Sequence, residues 1–332
     1  WLLTLAGMGI LVFGADRAVS GAVGLASSLG MSKVLIGATV VSLGTTAPET
    51  AVSVMAAFDG EGGLALGNGV GSIICDTALI FGFCCAIVSL PKDRFLLNRH
   101  GWLQLGAGVL LAGVLAALAL AAGGIRDVAL PRWVGLGFLV LLVGYLFISV
   151  RWARQHPADA GAVEVVGAER KRVRVAPSLL AAVFGLALVV GGANVLVSSV
   201  RQICLRLHVP RSVLAVTVVA FGTSLPELAT ALAAVLKKHP EVLLGNVIGA
   251  DILNVLFVIG ASAAAVPLAV PSEFYYLHIP VMLGALGLLR IYIYLPGHRF
   301  RRWQGGVLLA VFVGYYASLL VLVLSGVLTL EA

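Results

Sequence analysis

The sequence predicts an all-α membrane protein whose ten transmembrane helices form two inverted repeats of five. Three observations indicate this fold class: long apolar runs, few charges, and a sequence that repeats itself at one constant offset. Hydrophobic residues make up 60% of the 332 residues and Asp, Glu, Lys and Arg only 11%, whereas soluble domains carry about 25% charged residues. The short alternating segments typical of a transmembrane β-barrel do not occur in the sequence.

The apolar runs are each long enough to cross a bilayer, which requires ~20 residues of helix. The longer runs indicate a tilted or interrupted helix. The predicted helices cover residues 1–27, 33–58, 64–90, 102–122, 131–150, 177–202, 211–236, 241–267, 275–295 and 303–328.

A shift of 178 residues aligns the second half of the chain with the first. Residues 216–229 then lie on residues 38–51, and residues 244–254 lie on residues 66–76, without a gap. Chance similarity between apolar helices would not keep Pro, Glu, Asn and Gly in register over about seventy residues. Because each copy holds five helices, the second copy enters the membrane from the opposite side, which predicts the inverted repeats of a secondary transporter.

The predicted organisation is a first repeat at 1–150, a cytoplasmic linker at 151–176 and a second, inverted repeat at 177–332. Most of the 22 Lys and Arg residues fall in loops on one side of the membrane if the N-terminus is outside. The positive-inside rule therefore places both termini outside and the linker in the cytoplasm, with the protein integral to the inner or plasma membrane of the cell. The net charge of +7 indicates this topology and not a nucleic-acid partner.

The partners that the sequence predicts are the lipid bilayer and inorganic cations, and it points to no protein partner and no resident cofactor. The cysteines lack the spacing of a metal site and are interpreted as small apolar packing residues. The chain opens without the basic segment of a signal peptide, so the first helix is predicted to span the membrane.

Four carboxylates lie well inside predicted spans, at Glu49, Asp76, Glu227 and Asp251. An ionised group at the centre of a bilayer costs about 2.5–3.5 kcal/mol on insertion scales. Arg17 is the one basic residue deep within a predicted span, and one arginine cannot neutralise four acids. The acids must therefore be protonated or bind cations that come and go.

Two prolines break the second and the seventh predicted helix beside these acids. Proline has no N–H, so Pro48 frees the carbonyl of Gly44, and Pro226 does the same in the second copy. Irregular backbone at membrane depth is tolerated where it lines a cavity or is buried in protein. Freed carbonyls, carboxylates and nearby hydroxyls suit hard cations such as Ca²⁺ and Na⁺. The hydroxyls in question belong to Thr45, Thr46, Thr223 and Ser224.

The third helix of each copy adds a polar stripe to this region. Residues spaced by four share one helix face, and this spacing joins Asn68, Ser72 and Asp76 in the first copy. The second copy has Asn246, Ala250 and Asn254 at the same register. Because the stripe recurs beside the glutamate helices, it is interpreted as a wall of the site.

These motifs resemble the alpha-repeats of the sodium/calcium exchanger family, prokaryotic type, within the cation/Ca²⁺ antiporter superfamily. The family pattern G-T-S-x-P-E is matched at residues 222–227 and, with Thr46 in place of Ser, at residues 44–49. The pattern G-N-x-x-G-S-N-x-x-N/D is partly matched at 67–76 and 245–254. The resemblance implies Ca²⁺ ligands at four corners of a diamond, backbone oxygens from two threonines, and further hydroxyls for Na⁺. These are Glu49, Glu227, Asp76 and Asn254 for the corners, Thr45 and Thr223 for the backbone oxygens, and Thr46, Ser72 and Ser224 for Na⁺.

The third helices depart from the family pattern in the order of two ligands and at two further positions. Asp76 and Asn254 reverse the Asn and Asp order of archaeal-type exchangers. Ala250 removes a hydroxyl that resembles a Na⁺ ligand, and Asp251 places an acid where the family has Asn. A proton site or a supporting hydrogen-bonding role is therefore predicted for a further group, formed by Asp251, Asn68, Asn246 and Asp16.

The resulting hypothesis is an ion antiporter, not an enzyme, that exchanges Ca²⁺ for Na⁺ by alternating access. One alternative keeps the fold and makes H⁺ the coupling ion. A remote alternative is an intramembrane aspartyl protease using Asp76 and Asp251, although the chain lacks the G-x-G-D motif of such enzymes. A passive channel would not require two mirrored half-sites.

Overall fold

The computed structural model describes residues 2–92, 94–155, 175–206 and 220–324, and these residues are mostly helical. In this part of the chain eight helices are long and apolar enough to cross a membrane, and two shorter apolar helices, α2 and α9, accompany them. The helices are α1 (Leu2–Leu29), α2 (Lys33–Thr45), α3 (Ala47–Phe58), α4 (Gly62–Ile87), α5 (Arg94–Ala121), α6 (Arg132–Gln155), α7 (Val175–Arg206), α8 (Ala220–Thr223), α9 (Leu225–Leu236), α10 (Pro240–Ala265), α11 (Phe274–Tyr294) and α12 (Arg302–Leu324).

The helix ends follow local sequence signals. Ser32 caps α2 by accepting a hydrogen bond from the backbone N–H of Leu35 at 3.2 Å. Gly30 follows α1 with a φ of 63°, a left-handed conformation that glycine adopts without strain at the end of a helix. Pro48 and Pro240 lie in the first turn of α3 and α10, where the missing N–H breaks no helical hydrogen bond.

Two predicted helix boundaries differ from the structure by five residues or more. The fourth helix is predicted from residue 102, but α5 begins at Arg94. Asn98 accepts a hydrogen bond from Arg290 on α11, and the His100 ring packs against Trp152 on α6. The helix α6 also continues five residues past position 150, into the segment predicted as linker. Linker residues 156–174 lie outside the described residues, as do residues 207–219, which include the start of the seventh predicted helix at 211.

A small β-ribbon was not predicted from the sequence. The strand β1 (Val128–Leu130), between α5 and α6, pairs antiparallel with β2 (Leu268–Val270), between α10 and α11. Pro91 and Arg299 form a similar bridge between two other loops. Three-residue strands are too short for a recognisable alternating pattern. Each pairing ties a loop of the first half of the chain to a loop of the second.

The helices α4 and α10 form the centre of the bundle. In α4 72% and in α10 94% of the span is buried, whereas the other six candidate spans are 22–44% buried. Close approach depends on glycine, since a Cβ at Gly245 would lie 1.9 Å from the carbonyl oxygen of Val34 and one at Gly249 would lie 2.6 Å from Ala38. The backbone of α10 therefore rests directly on α2.

The helices α1 and α7 pack along each other over most of their length and contact the rest of the bundle less extensively. Glycines spaced by seven residues line both sides of this contact. A Cβ at Gly21 would lie 2.2 Å from the backbone nitrogen of Ala182, and a Cβ at Gly185 would lie 2.2 Å from that of Ala18. Small residues are what allow membrane helices to approach this closely.

We expect Gly185→Leu to separate α1 from α7 and to destabilise the protein by about 1–3 kcal/mol, as overpacking does elsewhere. The measurement is the thermal unfolding midpoint of the purified protein in detergent. Gly191→Leu is the matched control, because Gly191 is exposed on the same helix and a Cβ there would meet no described atom within 4 Å. Equal midpoints for the two variants would contradict the contact.

Candidate cation site

Glu49 and Glu227 lie at two equivalent helix breaks. The helix α2 ends at Thr45 and α3 begins at Ala47, and the corresponding break separates α8 from α9 at Ser224. Thr46 and Ser224 adopt nearly the same backbone conformation, with φ and ψ of −82° and −6° in one and −88° and 5° in the other.

Each glutamate falls in the first turn of the helix that follows the break. The partial positive charge at a helix N-terminus stabilises a carboxylate there. Glu49 is only 1% and Glu227 only 2% exposed, so both carboxylates lie inside the protein. The prolines initiate these new helices, which refines the sequence interpretation of Pro48 and Pro226 as residues inside a broken helix.

Asp76 and Asn254 occupy equivalent wide turns in the two central helices. The turns span Cys75–Phe81 in α4 and Asn254–Ile259 in α10, and their hydrogen bonds follow the i→i+5 pattern. Such turns are frequent at functional sites, because they redirect backbone and side-chain groups within a helix. Both side chains are buried.

Each broken helix is joined to the other half of the chain by one asparagine. The hydroxyl of Thr45 donates to Asn246 Oδ1 at 3.4 Å, and the hydroxyl of Thr223 donates to Asn68 Oδ1 at 3.2 Å. Asn68 also donates to the backbone carbonyl of Glu49 at 3.2 Å. The residues predicted as supporting groups, Asn68 and Asn246, therefore position the helix breaks, and they do so reciprocally.

The threonines Thr45 and Thr223 thus use their hydroxyls to bind asparagine, which leaves their backbone carbonyls as the groups to offer an ion. The hydroxyl oxygens of Thr46 and Ser224 have no hydrogen-bond partner among the described residues, although both are buried. Ser72 is buried on α4. Buried hydroxyls without partners are costly and indicate that a ligand or water completes them.

Asp251 is held by two residues that the sequence analysis missed. Its Oδ2 accepts hydrogen bonds from the hydroxyl of Thr77 and from Gln104 Nε2, each at 2.5 Å. Gln104 comes from α5, where it interrupts an otherwise apolar stretch, and that interruption was the available signal. Thr77 follows Asp76 directly, and hydropathy alone does not distinguish it from a packing residue.

Asp16 is not brought to this group of residues. Its side chain is 51% exposed and forms an ion pair with Lys237 at 2.7 Å, and Lys237 also donates to Ser20 at 2.6 Å. Nearby, Lys33 lies 3.1 Å from His239 Nδ1, and partial burial together with this lysine lowers the pKa of His239. Asp16 therefore belongs to a polar cluster at the end of α9.

The electrostatics of the site are dominated by uncompensated acids. Among the described residues no Lys or Arg forms an ion pair with Glu49, Glu227, Asp76 or Asp251. The carboxylate of Asp76 interacts electrostatically with the carboxylates of both Glu227 and Asp251. Both carboxylate oxygens of Glu49 and of Asp76, and one each of Glu227 and Asp251, have no hydrogen-bond partner in the described part of the chain.

These groups are oxygens throughout, which is the ligand chemistry of hard cations. In the described ranges no three His, Cys, Asp or Glu side chains converge as in a preformed metal centre. An ion held here would therefore also need hydroxyl, amide or backbone oxygens, such as the Asn254 Oδ1 that lacks a partner in the described chain.

Comparison with known proteins places the chain among cation exchangers. The family model described as sodium/calcium exchanger protein matches residues 1–151 and 177–321. The putative antiporter CaxA of Alkalimonas amylolytica is 32% identical, over 95% of this chain and 96% of that protein. The sodium/calcium exchanger MaX1 of Methanosarcina acetivorans is 29% identical, over 96% of this chain and 98% of that protein.

The fold is similar to that of a solved membrane exchanger. The sodium-calcium exchanger NCX_Mj, in crystals soaked with 2.5 mM Na⁺ and 0.1 mM Ca²⁺, superimposes with a TM-score of 0.79 and 28% identity. The match covers 96% of this chain and 97% of that one. Together with the family model across both halves, this likeness identifies the chain as a member of the sodium/calcium exchanger family, whose members are membrane antiporters.

Proposed function

We propose that the protein exchanges Ca²⁺ for Na⁺ across the membrane by alternating access. The observation that carries this proposal is the pair of buried glutamates, Glu49 and Glu227, at equivalent helix breaks without a basic partner in the described chain. Two related proteins are named as a sodium/calcium exchanger and as a putative antiporter, which supports the same activity here.

Competition for one set of oxygens explains how exchange is coupled. Two glutamates can hold one Ca²⁺ or replace it by Na⁺, but cannot hold a full set of both ions together. An empty site would leave unpaired carboxylates in a low-dielectric interior, which is strongly unfavourable. The protein therefore crosses between its two states readily only when loaded.

The proposed ligands divide into carboxylate, amide and hydroxyl groups. Glu49, Glu227 and Asp76 supply charge, and Asn254 completes the set for Ca²⁺. The carbonyls of Thr45 and Thr223 and the hydroxyls of Thr46, Ser72 and Ser224 add neutral oxygens. The orphaned oxygens of Thr46, Asp76, Ser224 and Asn254 support this assignment.

We further propose ten transmembrane helices in two inverted repeats, divided at 1–150, 151–176 and 177–332. Counting α2 with α3, and α8 with α9, as single interrupted spans raises the eight long helices to ten. Support comes from features that recur at the offset of 178 residues: the breaks at Thr46 and Ser224, the wide turns at Asp76 and Asn254, and the two reciprocal Thr–Asn hydrogen bonds.

The helices α1 and α7 are the proposed moving element. They pack mainly on each other through glycine contacts, and both reach the site region, α1 through α9 and α7 through the break of α2. Weak attachment to the rest of the bundle is what a sliding pair requires.

Coupling to H⁺ in the same fold remains the alternative, because Asp251 has an oxygen without a described partner and Ala250 lacks the hydroxyl of the family pattern. The aspartyl-protease alternative gains no support from the family, whose members are exchangers.

Charge removal at either glutamate is expected to stop exchange. In Glu49→Gln or Glu227→Gln a neutral amide replaces a charged ligand, so Na⁺-driven ⁴⁵Ca²⁺ uptake by proteoliposomes should fall at least about tenfold. Glu61→Gln makes the same chemical change at an exposed helix start and should transport normally. Normal uptake by either site variant would refute the assignment.

Bound Ca²⁺ is expected to stabilise the folded protein. Because a ligand stabilises the state it binds, Ca²⁺ at 100 times its dissociation constant should add about 2.7 kcal/mol. The thermal unfolding midpoint in detergent should rise with Ca²⁺ for the unaltered protein and for Glu61→Gln, and should not rise for Glu49→Gln. An equal rise in all three would place the ion elsewhere.

The orientation is tested by labelling single cysteines with a membrane-impermeant maleimide. Three native cysteines are buried, and the fourth is removed by Cys204→Ser. A cysteine at Ala162, in the linker outside the described residues, should react only after the cells are permeabilised. A cysteine at the exposed Ala122, after α5, should react in intact cells. The reverse pattern would overturn the proposed orientation.

A further inference from the structure

Asp251 is an acid beyond those that the proposed Ca²⁺ site requires. The four-cornered ligand set already contains three carboxylates and one amide, and Asp251 adds a fourth carboxylate where the family pattern has Asn. The side chain is only 1% exposed. No described Lys or Arg pairs with it. A buried carboxylate that no cation compensates is too costly to be retained without a role.

The carboxylate is fixed by groups from three helices. Asp251 lies on α10, Thr77 on α4 and Gln104 on α5, and both partners donate to the same oxygen, Oδ2. Gln104 Nε2 also lies 3.5 Å from the Thr77 hydroxyl, which closes the cluster. Two donors on one oxygen hold the side chain in a single orientation.

The second oxygen, Oδ1, is buried and has no partner among the described residues. An acid of the proposed Ca²⁺ site, Asp76 on α4, lies one residue before Thr77, which contacts Asp251. The side chain that α5 presents to it is the neutral Gln104, and Lys33, at the start of α2, is the one titratable residue of that helix. The free oxygen therefore belongs to a negatively charged environment in which a cation is the missing partner.

A charge count shows how Asp251 changes the number of monovalent cations in the Ca²⁺-free site. Glu49, Glu227, Asp76 and Asp251 carry four negative charges when ionised, whereas an Asn at position 251 would leave three. Full compensation by monovalent cations therefore takes one more ion with Asp251, and the divalent charge of an incoming Ca²⁺ displaces these ions. Na⁺ and H⁺ both bind a carboxylate oxygen, Na⁺ together with further neutral oxygens.

We propose that Asp251 carries a monovalent cation, Na⁺ or H⁺, beside the central site, so that each Ca²⁺ is exchanged for one more monovalent cation than with Asn at this position. This inference rests on the proposed antiport. Thr77 and Gln104 act as positioning residues that keep Oδ1 directed at the cation. The competing role for the cluster is purely structural, joining α4, α5 and α10.

The coupling ratio distinguishes these roles. In proteoliposomes held at zero membrane potential, a tenfold Na⁺ gradient should change the equilibrium Ca²⁺ accumulation ratio about tenfold for each Na⁺ in the cycle. We expect Asp251→Asn to accumulate about tenfold less Ca²⁺ than the unaltered protein under the Na⁺ gradient if the cation is Na⁺. If it is H⁺, the loss should appear under a tenfold proton gradient instead.

Equal accumulation ratios for both proteins under both gradients would overturn the proposal and leave a structural cluster. Ser262→Ala is the matched control, because Ser262 is buried on α10 and donates within its own helix to the Val258 carbonyl at 2.8 Å. Thr77→Val should show the same reduced Ca²⁺ accumulation ratio as Asp251→Asn. Thr77→Ser, which keeps the hydroxyl, should show the accumulation ratio of the unaltered protein. A change only in protein yield would indicate a structural role.

A flux-free measurement covers variants that do not transport. Ca²⁺ is added to the purified unaltered protein and to Asp251→Asn, and the monovalent cations released are counted. If the cation is Na⁺, Asp251→Asn should release one ²²Na⁺ fewer. If it is H⁺, Asp251→Asn should release one proton fewer in weakly buffered choline medium. Identical release would again overturn the proposal. If the unaltered protein accumulates no Ca²⁺ under any gradient, the antiport fails, while the release counts still decide the role of Asp251.

Discussion

Four carboxylates inside an apolar helix bundle, without a basic partner in the described chain, are the constraint on which the rest of the structure depends. Ionised acids at this depth are too costly to leave uncompensated, which is the physical basis of the proposed cation site. The helix breaks and the wide turns are local departures from regular helix, and the Thr–Asn hydrogen bonds fix the position of the breaks. Together they bring polar groups to these acids. In the proposed antiport, exchange follows because Ca²⁺ and the monovalent cations compete for these same acids.

The helix breaks are stabilised by contacts with neighbouring regular helices. Gly245 and Gly249 bring the backbone of α10 against α2, close enough for Asn246 to meet Thr45. Asn68 forms the corresponding contact with Thr223 and also binds the Glu49 carbonyl. Each broken helix is thus fastened to the third helix of the other half. The outer pair α1 and α7 packs through glycines and leaves this central assembly largely self-supporting.

Much of this arrangement could be predicted from sequence, because its signals are local and strong. Glutamate and proline in an apolar run have few structural explanations, and their recurrence at one offset indicates the position of both helix breaks. The family identification was confirmed by the match across both halves of the chain. The site residues themselves remain a proposal, as do the ten helices and their orientation. Gln104 and Thr77 were missed, because a single amide and a single hydroxyl in apolar helices are more often packing residues.

The sequence by itself determined the membrane class, the internal repeat and the identity of the buried acids, since composition and periodicity depend on residue type and spacing alone. Only the tertiary structure decided which oxygens remain without partners in the described chain and which are already bound. Asp16, placed beside the other acids by sequence reasoning, pairs with Lys237 instead, whereas Asp251 is joined by residues 174 and 147 positions away. Hydrogen-bond partners so distant along the chain are set by how the helices pack, and that packing cannot be calculated from the pattern within any one helix.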